Sequence, residues 1–301
     1  MPRNENFSGA LFMTLAMLGF AFNDAMVKMA APHLNTGQIM FIRGLITAIL
    51  IIAVAWKLGA LRPLRTLLDP YLALRTFAEL LASVTYVGAL AILPLPNAAA
   101  ILQALPLAVT MGAALFFHEP VGWRRWTAIA IGLAGVLVII RPGTEGFTAG
   151  SLLVVGSVIS STIRDLSTRK IDPATPTLFV SAVTSVAVTI FGAALIQPMG
   201  GWHTVSATDL IALTLGAAAL FLGYQSLIKS MRLGEISFIA PFRYTGLLWS
   251  VLIAAILLAE YPDRWILIGS AIVVGAGIYT FYRESRRHRA LLTAAAEASP
   301  P

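Results

Sequence analysis

The stretch that decides the fold is GALFMTLAMLGFAFNDAMVK, residues 9–28, because a related stretch returns 141 residues later as GSLLVVGSVISSTIRDLSTR, residues 150–169. Each is a long apolar run that reaches an aspartate and, four residues on, a basic residue. These positions are Asp24 and Lys28 in the first copy, and Asp165 and Arg169 in the second. The repetition indicates that one hydrophobic unit has been duplicated.

The ends of the two copies match as well. They share an acidic residue, a tryptophan and a pair of glycines in an apolar run, namely Glu119, Trp126, Gly132 and Gly135, then Glu260, Trp265, Gly275 and Gly277. Two copies therefore account for nearly the whole chain, which predicts a first repeat over residues 8–141 and a second over 148–283. Duplicated membrane units are how many transporters are built, with the substrate site between the copies.

The composition indicates that most of this chain lies within a lipid membrane. Hydrophobic residues are 58% of it and charged residues 12%, about half the charged share of a soluble domain. There are no cysteines, so disulfides, cysteine-ligated metals and thiol chemistry are excluded. The net charge of +7 is better explained by basic loops on one side of a membrane than by nucleic-acid binding. We predict an all-α membrane protein without a cofactor or a metal site.

Ten apolar stretches are long enough to cross a bilayer. The predicted spans are 8–30, 37–56, 70–92, 95–117, 122–140, 148–168, 174–197, 207–229, 233–258 and 263–282. Short loops that carry breakers such as Pro32, Pro63 and Pro198 separate them. Residues 284–301 are basic and then rich in alanine, serine and proline, which predicts a disordered tail.

The loop charges orient these spans. Of the 21 basic residues, 14 fall in segments on the side of the N-terminus, two in the other loops and five within spans. This bias predicts an inner-membrane protein with both termini in the cytoplasm. Five spans per copy is an odd number, so the second copy must be inverted relative to the first.

Charged residues within spans are costly in lipid and mark function by default. Asp24 and Lys28 lie near one mouth, and Asp165 and Arg169 near the other. Each pair has the i, i+4 spacing at which opposite charges can pair. We predict that they act in gating, and Asp24, Glu79 and Asp165 are the candidates for carrying a coupling proton. The alternative is an interfacial ion pair at each mouth.

Three further arginines lie deep in spans. Arg75 and Glu79 share a face of the third span and either contact the substrate or satisfy each other. Arg43 has no acid in its own span and needs a partner from another helix, for which Asp24 is the candidate. Arg243 lies near the middle of the ninth span beside Pro241, where a broken helix would line a cavity. An arginine at that depth suits a carboxylate or a phosphate, and the alternative is an ion pair with an acid such as Glu79.

Polar and aromatic residues fill out the predicted substrate site. Tyrosine and tryptophan can stack on a planar group of a ligand, although packing roles are an alternative. The remaining candidates are Gln103, Tyr86, Tyr224, Gln225, Tyr244 and Trp249.

Enzyme signatures are missing from the sequence. His118 and Glu119 lack the second histidine of a zinc-protease motif, and the sequence contains no P-loop and no Ser/His/Asp set. We therefore predict a non-enzyme that is not driven by ATP. A channel, a structural membrane protein and, last, an intramembrane enzyme are the alternatives to a transporter. The sequence leaves the oligomeric state open.

Three stretches carry a resemblance to a known family. They are Phe41-Ile-Arg43-Gly44, then Tyr86-Val-Gly-Ala-Leu90 followed by Leu93-Pro-Leu-Pro-Asn-Ala98, and finally Glu119 with Trp126, Gly132, Gly135 and Arg141-Pro-Gly143. The chain resembles the drug/metabolite transporter superfamily, specifically a protein with two EamA units of five helices each, over about residues 8–283. Phe41–Gly44 and the Arg75/Glu79 pair look most like the branch of S-adenosylmethionine and riboflavin carriers.

The resemblance implies a carrier of the inner membrane that works by alternating access around a central cavity. It implies a small organic substrate, with riboflavin or an S-adenosylmethionine-like solute ranked first and amino acids or their derivatives next. The mixture of buried acids and arginines suits a charged or zwitterionic solute with a planar part rather than a bare inorganic ion. Fold-level analogy does not by itself give the substrate.

Overall fold

The computed structural model describes residues 3–119, 121–143, 148–233 and 236–297, which are mostly helical. The helices are α1 (Arg3–Ala30), α2 (Thr36–Lys57), α3 (Pro70–Ile92), α4 (Leu95–Leu102), α5 (Leu105–Phe116), α6 (Trp123–Ile140), α7 (Ala149–Thr168), α8 (Thr177–Ile196), α9 (Ala207–Leu233), α10 (Ile236–Ile239), α11 (Thr245–Ile253) and α12 (Arg264–Glu297). Within these ranges, ten helical segments are long and apolar enough to cross a membrane, which confirms the predicted all-α fold of ten spans.

Side chains at the loop boundaries fix where several spans begin. The Asn35 side chain accepts a hydrogen bond from the backbone N–H of Gln38 at 2.8 Å and so caps α2. Asp69 caps α3 in the same way, with Pro70 in the first turn, where its missing N–H costs nothing. Thr148 caps α7. These caps explain why predicted and observed starts agree within a residue or two.

The two halves are joined helix to helix. The most extensive contacts pair α1 with α9, α2 with α8, α3 with α7, and α6 with α12, and each pair is antiparallel. Exchanging every span of one half for the corresponding span of the other half maps this set of pairs onto itself, as an inverted repeat requires. Because α1 begins and α12 ends on the same side of the bundle, we call that side the terminal side and the other the opposite side.

Two of the ten spans are broken, and they are the corresponding spans of the two halves. Gln103 and Ala104 interrupt the fourth span between α4 and α5, just before Pro106. A 3₁₀ turn, Ala240–Tyr244, interrupts the ninth span between α10 and α11, and Pro241 lies in it. The breaks face each other, because a Cβ added at Gly246 would lie 3.7 Å from the Gln103 side-chain nitrogen. Broken helices at membrane depth occur where protein or a cavity covers the freed backbone groups.

The last helix differs from the prediction. It runs on to Glu297, through most of the segment 284–301 that was predicted to be disordered, while residues 298–301 lie outside the described ranges. Alanine, leucine and arginine dominate residues 287–297, and they are among the strongest helix formers. The segment can therefore extend a helix that has already been nucleated in the membrane.

Close approach of α2 and α8 gives the first testable prediction. A Cβ added at Gly192 would lie 2.7 Å from the Phe41 backbone nitrogen, whereas one at Gly275 meets nothing within 4 Å. We expect Gly192→Ala to destabilise the protein by about 1–3 kcal/mol, because backbone cannot give way as a flexible side chain can. Gly275→Ala in α12 is the matched control and should be neutral or slightly stabilising. Thermal melting in detergent measures both, and equal melting temperatures would contradict the predicted packing.

Candidate functional site

A cavity of about 90 Å³ lies between α2, α3, α8 and α9, so both halves of the chain line it. Arg43 lines it about 10 Å along α2 from the opposite side, and Arg75 lines it about 8 Å along α3 from the terminal side, at 1.5 Å per residue. Glu79 and Tyr224 line it as well. The cavity therefore runs from mid-depth toward the terminal side, and the fold brings together four of the residues predicted for the substrate site.

Glu79 is held by an arginine from the other half of the chain. The Arg164 guanidinium donates to Glu79 Oε2 at 3.0 Å and to its own neighbour Asp165 at 2.7 Å. Arg75 donates instead to the hydroxyl oxygens of Thr168, at 3.0 Å, and of Thr184. The suggested pairing of Arg75 with Glu79 is therefore wrong at the level of direct contacts, because α7 brings a second guanidinium closer to Glu79.

Arg43 is joined to Asp24 only through an amide. Its guanidinium donates to Asn23 Oδ1 at 3.3 Å, and the Asn23 side-chain nitrogen donates to Asp24 at 2.9 Å. The Tyr86 hydroxyl donates to the other oxygen of Asp24 at 2.8 Å. Asp24 is thus the acid near Arg43, as predicted, but the groups that donate hydrogen bonds to it, the Asn23 amide and the Tyr86 hydroxyl, are neutral. Tyr86 acts here as a partner of Asp24 rather than as a stacking surface.

The charges around the cavity do not balance. Two arginines line it, Arg43 and Arg75, against one carboxylate, Glu79. Arg164 already forms a direct ion pair with Glu79. Arg43 and Arg75 are left with neutral oxygen partners. The cavity wall therefore presents positive charge that no acid in the described residues contacts directly.

Each mouth of the bundle is crossed by an ion pair. On the opposite side, Lys28 lies 3.5 Å from Glu260, and the two side chains are only 16% and 22% exposed. Lys28 also donates to the Leu93 carbonyl, and Glu260 accepts from the Leu95 N–H, so the pair ties α1 to the α3–α4 turn and to the end of the ninth span. We call this pair the opposite latch.

The terminal latch is its counterpart. Arg169 lies 2.6 Å from Glu119, with the side chains 50% and 40% exposed, and its guanidinium lies over the Phe117 ring. Both members lie 141 residues from a member of the opposite latch, so the duplication relates the two. The suggested i, i+4 pairing of Lys28 with Asp24 and of Arg169 with Asp165 is therefore wrong, because an acid from the other half reaches each cation. Glu119, one of the acids that match at the ends of the two copies, thus belongs to this latch.

The other predicted site residues lie away from this cavity. Tyr244 is buried against α12, where its hydroxyl touches Gly277 and its ring meets Phe281 edge-on. Trp249 packs among apolar residues, and its indole N–H has no hydrogen-bond partner in the described residues. Gln103 lies in the break of the fourth span, and Gln225, next to Tyr224 on α9, does not line the cavity.

Arg243 is also outside the cavity lining. It makes no hydrogen bond or ion pair with the residues that the structure describes, so the suggested pair with Glu79 is wrong. The acid whose charge acts on it most strongly is Asp165. Arg243 therefore lies in the turn that breaks the ninth span and not in the wall of the cavity.

Hydroxyl groups form much of the cavity wall and were missed from the sequence. Ser181, Thr184 and Ser185 line it from α8, and Ser83 and Thr47 line it from α3 and α2. The signal was available, since positions 181, 184 and 185 have the i, i+3, i+4 spacing of one helical face. Arg164 and Asn23 were also overlooked, although both stand beside the repeated aspartates.

Comparison with known proteins adds independent information. Residues 7–141 match the model of the EamA-like transporter family. The chain is 25% identical to the S-adenosylmethionine uptake transporter of Rickettsia felis, over 93% of this chain and 96% of that protein. It is 25% identical to the riboflavin transporter of Vibrio cholerae, over 95% and 97%. It is also 25% identical to the pseudopaline exporter CntI of Pseudomonas aeruginosa, over 90% and 95%.

A solved structure shares the fold. A crystal structure superimposes with a TM-score of 0.65 at 17% sequence identity, covering 93% of this chain and 99% of that chain. At that identity the likeness concerns the fold alone. It extends over both halves of the helical bundle.

Proposed function

Because the chain carries an EamA domain of the drug/metabolite transporter superfamily, we propose that it moves a small charged organic metabolite across a bacterial inner membrane by alternating access, without ATP. The observation that carries this proposal is the polar, charged cavity at mid-depth between the two halves. Cavities at the interface of inverted repeats are where carriers bind their substrates. The loop charges support a cytoplasmic location for the terminal side.

The size of the cavity supports a closed conformation. Sites for small organic ligands usually have volumes of about 300–1,000 Å³, and this cavity has about 90 Å³. A solute of that class therefore needs more room than the cavity gives it in the described conformation. Both latches are formed in the described conformation, so release of one latch at a time would open one mouth.

The relatives and the cavity wall both support a substrate class. Transporters named for S-adenosylmethionine, riboflavin and pseudopaline are similar to this chain over nearly its whole length. We rank a riboflavin- or S-adenosylmethionine-like solute first and amino acids or their derivatives next. The hydroxyls and guanidinium groups of the wall suit polar, hydrogen-bonding solutes, and Tyr224 offers an exposed aromatic face.

Uptake into proteoliposomes tests the proposal. We expect saturable uptake of at least one labelled compound from a panel of S-adenosylmethionine, riboflavin and aromatic and other amino acids, measured with and without a pH gradient. Unlabelled compound inside the vesicles should accelerate uptake, because a carrier exchanges whereas a channel does not. A linear, non-saturating flux would indicate a channel, and no flux of any compound through correctly inserted protein would contradict the proposal.

Arg75→Gln is the variant that ties this activity to the cavity. We expect it to reduce uptake at least about tenfold, the effect of losing charge-assisted hydrogen bonds to a solute. The variant should still fold, because the direct partners of Arg75 are neutral hydroxyls. Arg264→Gln is the matched control, since Arg264 lies exposed over the Trp265 ring at the start of α12. An equal loss of uptake in both variants would show that transport does not depend on this cavity.

A further inference from the structure

Arg43 is the cavity residue whose hydrogen-bonding capacity is least used. An arginine side chain carries five N–H donors in a planar fork. In the described residues, Arg43 uses one of them, in a long 3.3 Å bond to the neutral Asn23 oxygen. The residue lines the cavity, so its remaining donors have access to whatever the cavity holds. A guanidinium with unused N–H donors in a membrane interior raises the free energy of the folded protein unless an anion accepts hydrogen bonds from it.

The surroundings of Arg43 explain why no acid of the chain takes that place. Asp24 is occupied by the Tyr86 hydroxyl and the Asn23 amide. Glu79 and Asp165 are bonded to Arg164. Arg75, the second arginine of the cavity, rests on the hydroxyls of Thr168 and Thr184. Every carboxylate of the region is thus engaged elsewhere.

The surplus charge indicates how many negative charges the missing anion carries. Two arginines and one carboxylate line the cavity, which leaves one positive charge in excess. A carboxylate carries one negative charge, whereas a phosphate group carries about −1.5 to −2 at neutral pH. A single guanidinium also matches the two oxygens of a carboxylate in a bidentate geometry. Neighbouring Gly44 has no side chain and lets the α8 backbone approach closely there.

From these contacts we propose that Arg43 is the anchor of a carboxylate subsite, which selects solutes carrying one carboxylate over neutral or decarboxylated ones. This inference rests on the proposed transport function and deepens it, since it names the chemical group that the cavity recognises. It ranks a carboxylate-bearing solute such as S-adenosylmethionine above riboflavin, which carries no carboxylate.

The test compares two probes that differ only in the carboxylate. S-adenosylmethionine and decarboxylated S-adenosylmethionine compete for uptake of whichever labelled panel compound wild-type proteoliposomes carry. We expect the carboxylate form to compete at a concentration at least about tenfold lower. In Arg43→Gln the concentration for the carboxylate form should rise about tenfold and that for the decarboxylated form should stay constant. Arg43→Lys should keep part of the preference, and Arg264→Gln all of it.

The outcomes separate this inference from the proposed function. Saturable uptake without any preference for the carboxylate form in the wild type would overturn the subsite and leave the carrier standing. That comparison uses only the wild-type protein, so the inference can be tested even if the Arg43→Gln protein folds poorly. Equal losses for both probes in Arg43→Gln would also overturn it. Absence of uptake of every panel compound would overturn the proposed function and the subsite together.

Discussion

Arg164→Met is expected to destabilise the folded protein by about 3–5 kcal/mol, the usual cost of breaking a buried ion pair by removing one partner. Arg164 bonds Glu79 at 3.0 Å and Asp165 at 2.7 Å, so the substitution leaves two carboxylates within the membrane without a direct cationic partner. The side chains of Arg164 and Glu79 are only 21% and 17% exposed, which limits the rescue that water can give. Thermal melting of the purified protein in detergent measures the loss.

Two further proteins control this measurement. Arg264→Met removes an exposed arginine of the same length and should melt close to the wild type. A triple variant with Arg164→Met, Glu79→Gln and Asp165→Asn should recover much of the lost stability, because it removes the unpaired charges as well. If Arg164→Met melts like Arg264→Met, the ion pairs of Arg164 with Glu79 and Asp165 do not stabilise the bundle.

Glu260→Gln is expected to open the opposite mouth. The substitution removes the acid of the opposite latch, which lies 3.5 Å from Lys28. A hydrogen bond to a charged group contributes about 1.5–3 kcal/mol, so the ratio of open to closed conformers should rise about 10- to 100-fold. Because the chain has no cysteine, a single Ser83→Cys substitution in the cavity wall reports accessibility without background. Its rate of modification by a membrane-impermeant thiol reagent on the opposite side should rise accordingly.

The terminal latch supplies the mirror experiment. Glu119→Gln should raise the modification rate of the same cysteine from the terminal side and not from the opposite side, since Arg169 then loses its acid. The change should be smaller, because this pair is about half exposed and exposed pairs contribute little. Modification rates that respond to neither substitution, or that respond equally from both sides, would show that the latches are structural only.

The sequence predicts the spans well because their physics is local. Length in apolar residues, prolines in loops and caps such as Asn35 and Asp69 act within a few residues, and the structure confirms ten spans with closely similar bounds. The duplication is equally readable, because Asp24 and Asp165 stand at the same place in two copies. The inverted arrangement then follows from counting spans and loop charges.

The partners of the charged residues were harder to predict because they are distant in the sequence. Lys28 meets Glu260, and Arg164 meets Glu79, each time across the contact between the two halves. A spacing of four residues favoured local pairs instead, and no local rule gives the rotation of one helix about its axis relative to another. Arg243 lies in the turn at Pro241 and does not line the cavity.

The repeated unit of this chain is not the unit that folds. The principal antiparallel contacts pair α1 with α9, α2 with α8, α3 with α7 and α6 with α12. Every one of these contacts joins the two copies, and the contacts within each copy are slight by comparison. Neither copy encloses an apolar core of its own, so cutting the chain between them would leave two sets of helices without their principal neighbours. The repeat therefore reflects how the chain arose by duplication, whereas the two copies fold and move together as one body.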